Sequence, residues 1–381
     1  MAEIQFISKS QMVPYGTTQL RCIQPADYLK RTGTSCRLGC IYRNMPSASK
    51  AMVFHRAISD AQTWSYVEYA KARGLVLIYD IDDYLFDDIA DSSAPRYRKI
   101  IKEFDVVFAS TRFLADRIST FHSDVRIVQS GLSDSFVANV EKHMDKKVRD
   151  ASDAITIGYF SGSAHHDEDF KLVKDALLSI LRENNNVRLL LIGKLKYSPE
   201  FSEFEDQFEY RQFMPYDEFL KVFQEVDVNL APNRISHPKA QGRSEIKYVE
   251  AAAWGVPTVA SPTETYKSVI RHQDNGILAE DGNWMDPLVD LVNDHASRIE
   301  LGNKARADIV KNYYPDAKST EWKTLIDDVL VTYGDAARSR RKAFKTPFLY
   351  LNSCAHWAKR FLKRKKREIT NAESNLQQNE S

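Results

Sequence analysis

Arg243, Lys247 and Glu250 stand close together in the chain at spacings that suit one helix. Ser244 is a good N-cap for it, because its hydroxyl can accept from an amide that the first turn leaves unpaired. Residues 245–254 then read as a helix with Ile246, Val249, Ala253 and Trp254 as its apolar stripe. Gly255 suits the left-handed residue that ends a helix, and Pro257 cannot continue one. Free amides and the helix dipole draw anions to the start of such a helix, and Arg243 and Lys247 add formal charge there. Glu250, about one turn beyond Lys247, supplies an acceptor for hydroxyls. A phosphate beside a sugar hydroxyl would fit this mouth. The same residues also read as a plain amphipathic helix with an internal Lys-Glu pair.

These residues need a scaffold, and the chain supplies an alternation of strands and helices. Its 381 residues favour two domains, and 43% apolar with 28% charged residues is ordinary for a globular chain. Strands are predicted at 3–7, 51–55, 74–80, 104–110 and 126–129, with helices between them. Residues 138–153 are polar and carry no strand pattern, so the boundary is placed there. The alternation restarts with strands at 155–160, 187–193, 228–231 and 258–260 and helices at 169–184 and 216–226. Helices over 287–313 and 319–331 close the globular part. Alternation of this kind predicts an α/β protein of two Rossmann-like domains, 1–140 and 150–330, with parallel sheets facing across a cleft. Ligands then sit at the carboxyl ends of the strands. Four cysteines (Cys22, Cys36, Cys40, Cys354) form neither a disulfide framework nor, lacking a second Cys/His pair, a zinc site.

Glu250-Ala-Ala-Ala-Trp-Gly-Val-Pro-Thr-Val resembles the signature of the retaining "group 1" glycosyltransferases of the GT-B fold. The order of elements over residues 155–315 is similar to theirs as well: a Gly-rich loop, a strand ending in Ile-Gly, a strand ending in Ala-Pro, then the Glu helix. Residues 1–135 match loosely. The resemblance implies that Glu250 binds the ribose of a nucleotide-diphosphate sugar. It implies that amides at Ser244, Glu245 and Ile246 hold the diphosphate, with Lys194 and Arg243 as cations in place of a metal. Lys196 and Lys239 compete with Lys194 for that role. Lys247 belongs to a Lys-x-x-Glu variant of the motif and is a candidate for catalysis. One position departs from the pattern: Gly242 stands where a second Glu is usual, near the donor sugar.

Other residues carry two readings each. Ser161-Gly162-Ser163 is small enough for its amides to approach a phosphate, yet many turns look alike. His165 and His166 read as a solvated helix start or as a sugar contact. Asn233 lines a nucleotide pocket or is a plain loop residue. Asp80-Ile81-Asp82-Asp83 ends an apolar strand, as does the metal-diphosphate motif of metal-using glycosyltransferases or the nucleophile motif of dehalogenase-like phosphatases. A donor site in the second half and the lack of a clear downstream acidic pair weigh against these two. Asp82 and Asp83 are left to orient an acceptor hydroxyl, or to cap a helix, with His55 and Arg56 on the same acceptor wall.

The end of the chain is basic. From Asp335 onward twelve Lys and Arg face four Asp and Glu, while the net charge of the chain is +1. Residues 345–367 interleave Phe348, Leu349, Leu351, Trp357, Phe361 and Leu362 with these cations. Such a tail (335–381) suits an anionic membrane surface; its apolar residues argue against nucleic acid. No apolar run approaches membrane-spanning length, and the start lacks a secretory pattern. The expected location is therefore the cytoplasm, at the inner membrane face. The expected activity is sugar transfer from a nucleotide-diphosphate donor to a glycan or lipid-linked acceptor in surface polysaccharide synthesis, without metal or other cofactor. A nucleotide-sugar epimerase and a catalytically silent scaffold are the alternatives.

Overall fold

The computed structural model describes residues 3–9, 12–13, 16–41, 49–87, 92–144, 154–162, 167–279 and 283–343. Ser163, His165, His166 and the tail beyond 343 lie outside them.

Six parallel strands form the first sheet: β1 (Ile4–Ser8), β2 (Cys36–Cys40), β3 (Ala51–His55), β4 (Val76–Ile81), β5 (Val106–Ala109) and β6 (Val125–Ile127). Their order is β2-β1-β3-β4-β5-β6. The strands β3, β4 and β5 are buried along their whole length, because helices cover both faces of a parallel sheet. Six more form the second sheet: β7 (Ile155–Ser161), β8 (Val187–Gly193), β9 (Phe208–Arg211), β10 (Val228–Ala231), β11 (Thr258–Ala260) and β12 (Ile277–Leu278). Their order is β12-β11-β10-β7-β8-β9. The architecture is thus the expected pair of parallel α/β sheets.

Register brings the chemistry level. In the first sheet His55 pairs with Asp80. In the second, Ser161 pairs with Gly193, and Ala231 with Ala260. The strand order reverses between β7 and β10, so the loops after them diverge and leave a crevice at their carboxyl ends. Gly162 and Asn233 lie on those loops.

Both connections between the sheets differ from the sequence expectation. Residues 138–143, the first part of the stretch read as polar boundary, belong to the helix Asp134–His143, whose Phe136 and Val140 pack among residues of the second unit such as Trp254. The final helix runs from Pro315 to Ala343, well beyond the expected 319–331. Its Trp322, Ile326 and Val329 bury against Phe6, Val53 and Phe108 of the first sheet. The chain therefore crosses between the two sheets twice, near Leu132 and near Tyr314, and the crossings are tied by Leu132 N–H donating to Tyr313 O at 3.0 Å.

Candidate functional site

The helix at the centre of the second unit spans Ile246–Ala253. Glu245, not Ser244, takes the N-cap place, and no side chain caps the helix there. The expectation for Ser244 as cap fails because the chain turns helical one residue later than the sequence pattern suggests. The other end is as expected, with Gly255 at φ +65° after Trp254. Val249, Ala253 and Trp254 are buried, and Ile246 packs against the same cluster half-buried.

At the start of this helix Arg243 is fixed from two sides. Its Nη1 donates to Asn233 Oδ1 at 2.7 Å and to Asp169 Oδ2. Asp169 is fully buried and also accepts from Arg234 N–H at 3.1 Å. Asn233 is anchored in turn, its own N–H donating to Ser261 Oγ at 2.8 Å. Asn233 and Arg243, both anticipated, therefore meet, and Asp169 joins them. The sequence offered only the acidic run Asp167-Glu168-Asp169 at a helix start, where acids are common for dipole reasons.

Among the described residues Lys247 makes no salt bridge. Its Nζ lies 4.3 Å over the Tyr159 ring, a cation-π contact. Burial and the neighbouring Arg243 push its pKa down to about 7, against the pull of Asp169 and Glu250. Glu250, 8% exposed, accepts from Tyr216 Oη at 2.9 Å. Burial pushes its carboxyl up to about 7, opposed by the Tyr216 hydrogen bond and by Lys247. A bound anion would favour the protonated Lys247.

Lys194 N–H donates to Ser161 O at 3.0 Å, which sets the Lys194 and Gly162 loops side by side. That approach needs Gly193, whose φ is +116° and where any Cβ would run into the Ser161 carbonyl. Lys194 is exposed, with Nζ 5.2 Å over the Phe213 ring. A Cβ at Gly162 would meet nothing among the described residues within 4 Å.

The acids of the first unit make a different cluster. Asp80 is fully buried and accepts from Arg21 through both oxygens, at 3.1 and 2.6 Å. His55 Nδ1 lies 2.8 Å from Asp80 Oδ1, and its Nε2 lies 3.9 Å from Asp82 Oδ1. Arg56, in the left-handed region at φ 48°, donates to Asp82 and lies 3.5 Å from Asp83. Burial works against ionisation of Asp82, but Arg56 and His55 outweigh it and hold the carboxyl below its ordinary range. No helix begins at 82–87, so the capping alternative for Asp82 and Asp83 does not apply. Arg21, on the π-helical turn Gln19–Ile23, was not anticipated.

Gly242 is where the two units approach. A Cβ there would lie 3.2 Å from Leu114 Cδ2 and 3.4 Å from Tyr84 Cβ, both of the first unit. Apolar atoms of the other unit thus stand beside the position at which the motif usually carries its carboxylate.

Residues 154–295, within the second unit, match the family described as Glycosyl transferases group 1. No curated protein sequence matches the chain. Among solved structures, Anabaena HepE in complex with UDP superposes with a TM-score of 0.61 at 12% identity, over 86% of this chain and 100% of that one. Sucrose-phosphate synthase from Thermosynechococcus elongatus gives a TM-score of 0.63 at 12% identity, over 87% and 100%. WaaG, a glycosyltransferase involved in lipopolysaccharide biosynthesis, gives 0.58 at 11%, over 84% and 99%. These likenesses establish the two-sheet GT-B-like fold. Among the described residues no helix is long and apolar enough to cross a membrane.

Proposed function

We propose that the chain transfers a sugar from a nucleotide-diphosphate donor, bound in the second unit, to a glycan or lipid-linked acceptor bound in the first. The observation that carries this reading is the Lys247–Glu250 pair. Glu250 is buried and Lys247 half-buried, desolvation moves both pKa values toward neutrality, neither makes a salt bridge among the described residues, and both lie in the stretch that matches the family. Glu250 would hold the ribose hydroxyls. Lys247, Arg243, Lys194 and the amides of Gly162, Ser163, Glu245 and Ile246 would take the diphosphate, where negative charge grows as the glycosidic bond breaks. Protein cations then do the work for which other transferases use a metal, and no cofactor is needed beyond the sugar-nucleotide. Asp82 and Asp83, held by Arg56 and His55, would orient the acceptor hydroxyl. Transfer with retention at the anomeric carbon follows from the motif's resemblance, as does a role in surface polysaccharide synthesis. The basic tail would place the enzyme on an anionic membrane surface inside the cell.

The test is incubation with sugar-nucleotides and a lipid extract containing glycolipid acceptors. Acceptor-dependent appearance of sugar in the lipid fraction supports transfer, and the anomeric proton coupling of the product reads its configuration. Turnover of the sugar-nucleotide without acceptor would instead indicate an epimerase. The close packing at Gly242 favours a second reading, a scaffold that binds donor without transferring it. Donor binding with no transfer across the acceptor panel would support that.

A further inference from the structure

Glu245 is the unusual residue of the helix start. It is 2% exposed. Tyr313 Oη donates to its Oε1 at 3.1 Å. Its Oε2 is buried with no hydrogen-bond partner. The positive charges that act on it are Lys318 and Arg21. Lys318 opens the final helix, and Arg21 is the guanidinium that locks Asp80 beneath the acid cluster.

Tyr313 in turn sits on the double crossing between the units. Its carbonyl accepts from Leu132 N–H at 3.0 Å, and the Leu132 carbonyl accepts from Tyr28 Oη at 2.7 Å. Lys318, 2% exposed, lies 5.0 Å over the Tyr313 ring. At Gly131 a Cβ would come within 2.6 Å of Lys318 Cγ and 2.8 Å of Tyr28 Oη, so this corner is filled. Packed corners of this kind do not deform smoothly; they hold one arrangement or switch to another. One side chain at the front of the Lys247–Glu250 helix therefore touches the segment about which the two units would move.

We propose that Glu245 and Tyr313 are positioning residues that couple the helix start to the double crossing, so that filling the nucleotide site sets the angle between the two units. This rests on the nucleotide-binding reading above. The coupling needs an acceptor at 245 and a donor at 313. It does not need a negative charge at 245.

The experiment combines calorimetric titration with UDP, GDP and ADP and small-angle scattering of the full chain with and without whichever nucleotide binds. Wild type is expected to compact on binding. Tyr313→Phe should bind the nucleotide within about twofold of wild type yet fail to compact; at nucleotide concentrations that saturate each variant, Glu245→Ala should likewise fail to compact, and Glu245→Gln, which keeps the acceptor oxygen, should compact normally. Normal compaction in both Tyr313→Phe and Glu245→Ala, or none in a wild type that binds, overturns the coupling. Loss of compaction in Glu245→Gln as well overturns the hydrogen bond as its cause. Absence of binding by all three nucleotides overturns the nucleotide-site reading itself, a different result from either. Should Tyr313→Phe misfold, the contrast between the Ala and Gln variants of Glu245 carries the test.

Discussion

The two charged clusters of this molecule use the same residue types to opposite ends. Around Asp80 every charge has a partner: Arg21 takes both carboxylate oxygens and His55 leans on one of them. Burial disfavours the Arg21 charge, yet Asp80 more than restores it. Around Lys247 and Glu250 the described residues form no salt bridge. A lysine rests on an aromatic face, a glutamate has one phenol, and burial brings both to about pH 7. A closed pair holds the fold in place, whereas an open pair is ready for a ligand. On the proposed reading, recognition lies in the second unit, and the buried part of the acid cluster supports Asp82 and Asp83.

The largest effect should come from breaking the closed pair. Arg21→Met strands a buried carboxylate and should cost about 3–5 kcal/mol of folding stability, measured by denaturant unfolding. Lys247→Met should do the reverse. Stability should hold or rise, since a desolvated cation is removed, while affinity for a nucleoside diphosphate falls by about 1.5–3 kcal/mol in a calorimetric titration. A stability loss in Lys247→Met comparable to that in Arg21→Met would erase the distinction between the clusters.

The pH dependence of binding sharpens it. Lys247 in the free protein loses its proton as pH rises through about 7, and an anion binds the protonated form. Affinity should therefore fall with rising pH above about 7, by up to roughly tenfold per unit, with proton uptake on binding. Lys247→Arg should flatten that slope, because a guanidinium stays charged throughout. Tyr216→Phe should have the smallest effect. It removes one hydrogen bond from Glu250, so affinity should drop by about 0.5–1.5 kcal/mol with the fold intact.

Much of this arrangement was legible in the sequence, for a physical reason. Buried parallel strands are continuous apolar runs, so β4, β8 and β10 stand out, and the Gly255 stop follows from backbone geometry. The edge strands β2 and β9 were not anticipated. Cys-Arg-Leu-Gly-Cys and Phe-Glu-Tyr-Arg are short, partly exposed and mixed in polarity, so they carry no such run. Arg243, Asn233, Lys247 and Glu250 could be picked out because they cluster in sequence around a recognisable motif. Asp169 and Arg21 could not. Asp169 acts on Arg243 from 74 residues away, and Arg21 on Asp80 from 59, and a pairing at that range leaves no local pattern. The final helix was cut short for a similar reason. Its continuation to Ala343 is stabilised by contacts such as Arg340 with Asp105, 235 residues distant.

The most direct test of the nucleotide-sugar site is a thermal-shift screen of wild type and Glu250→Ala against UDP-, GDP- and ADP-sugars. The open pair predicts a rise in Tm of wild type with at least one of them and no rise in Glu250→Ala, with the two proteins folding alike in buffer. No rise with any sugar-nucleotide, or an equal rise in Glu250→Ala, would contradict it.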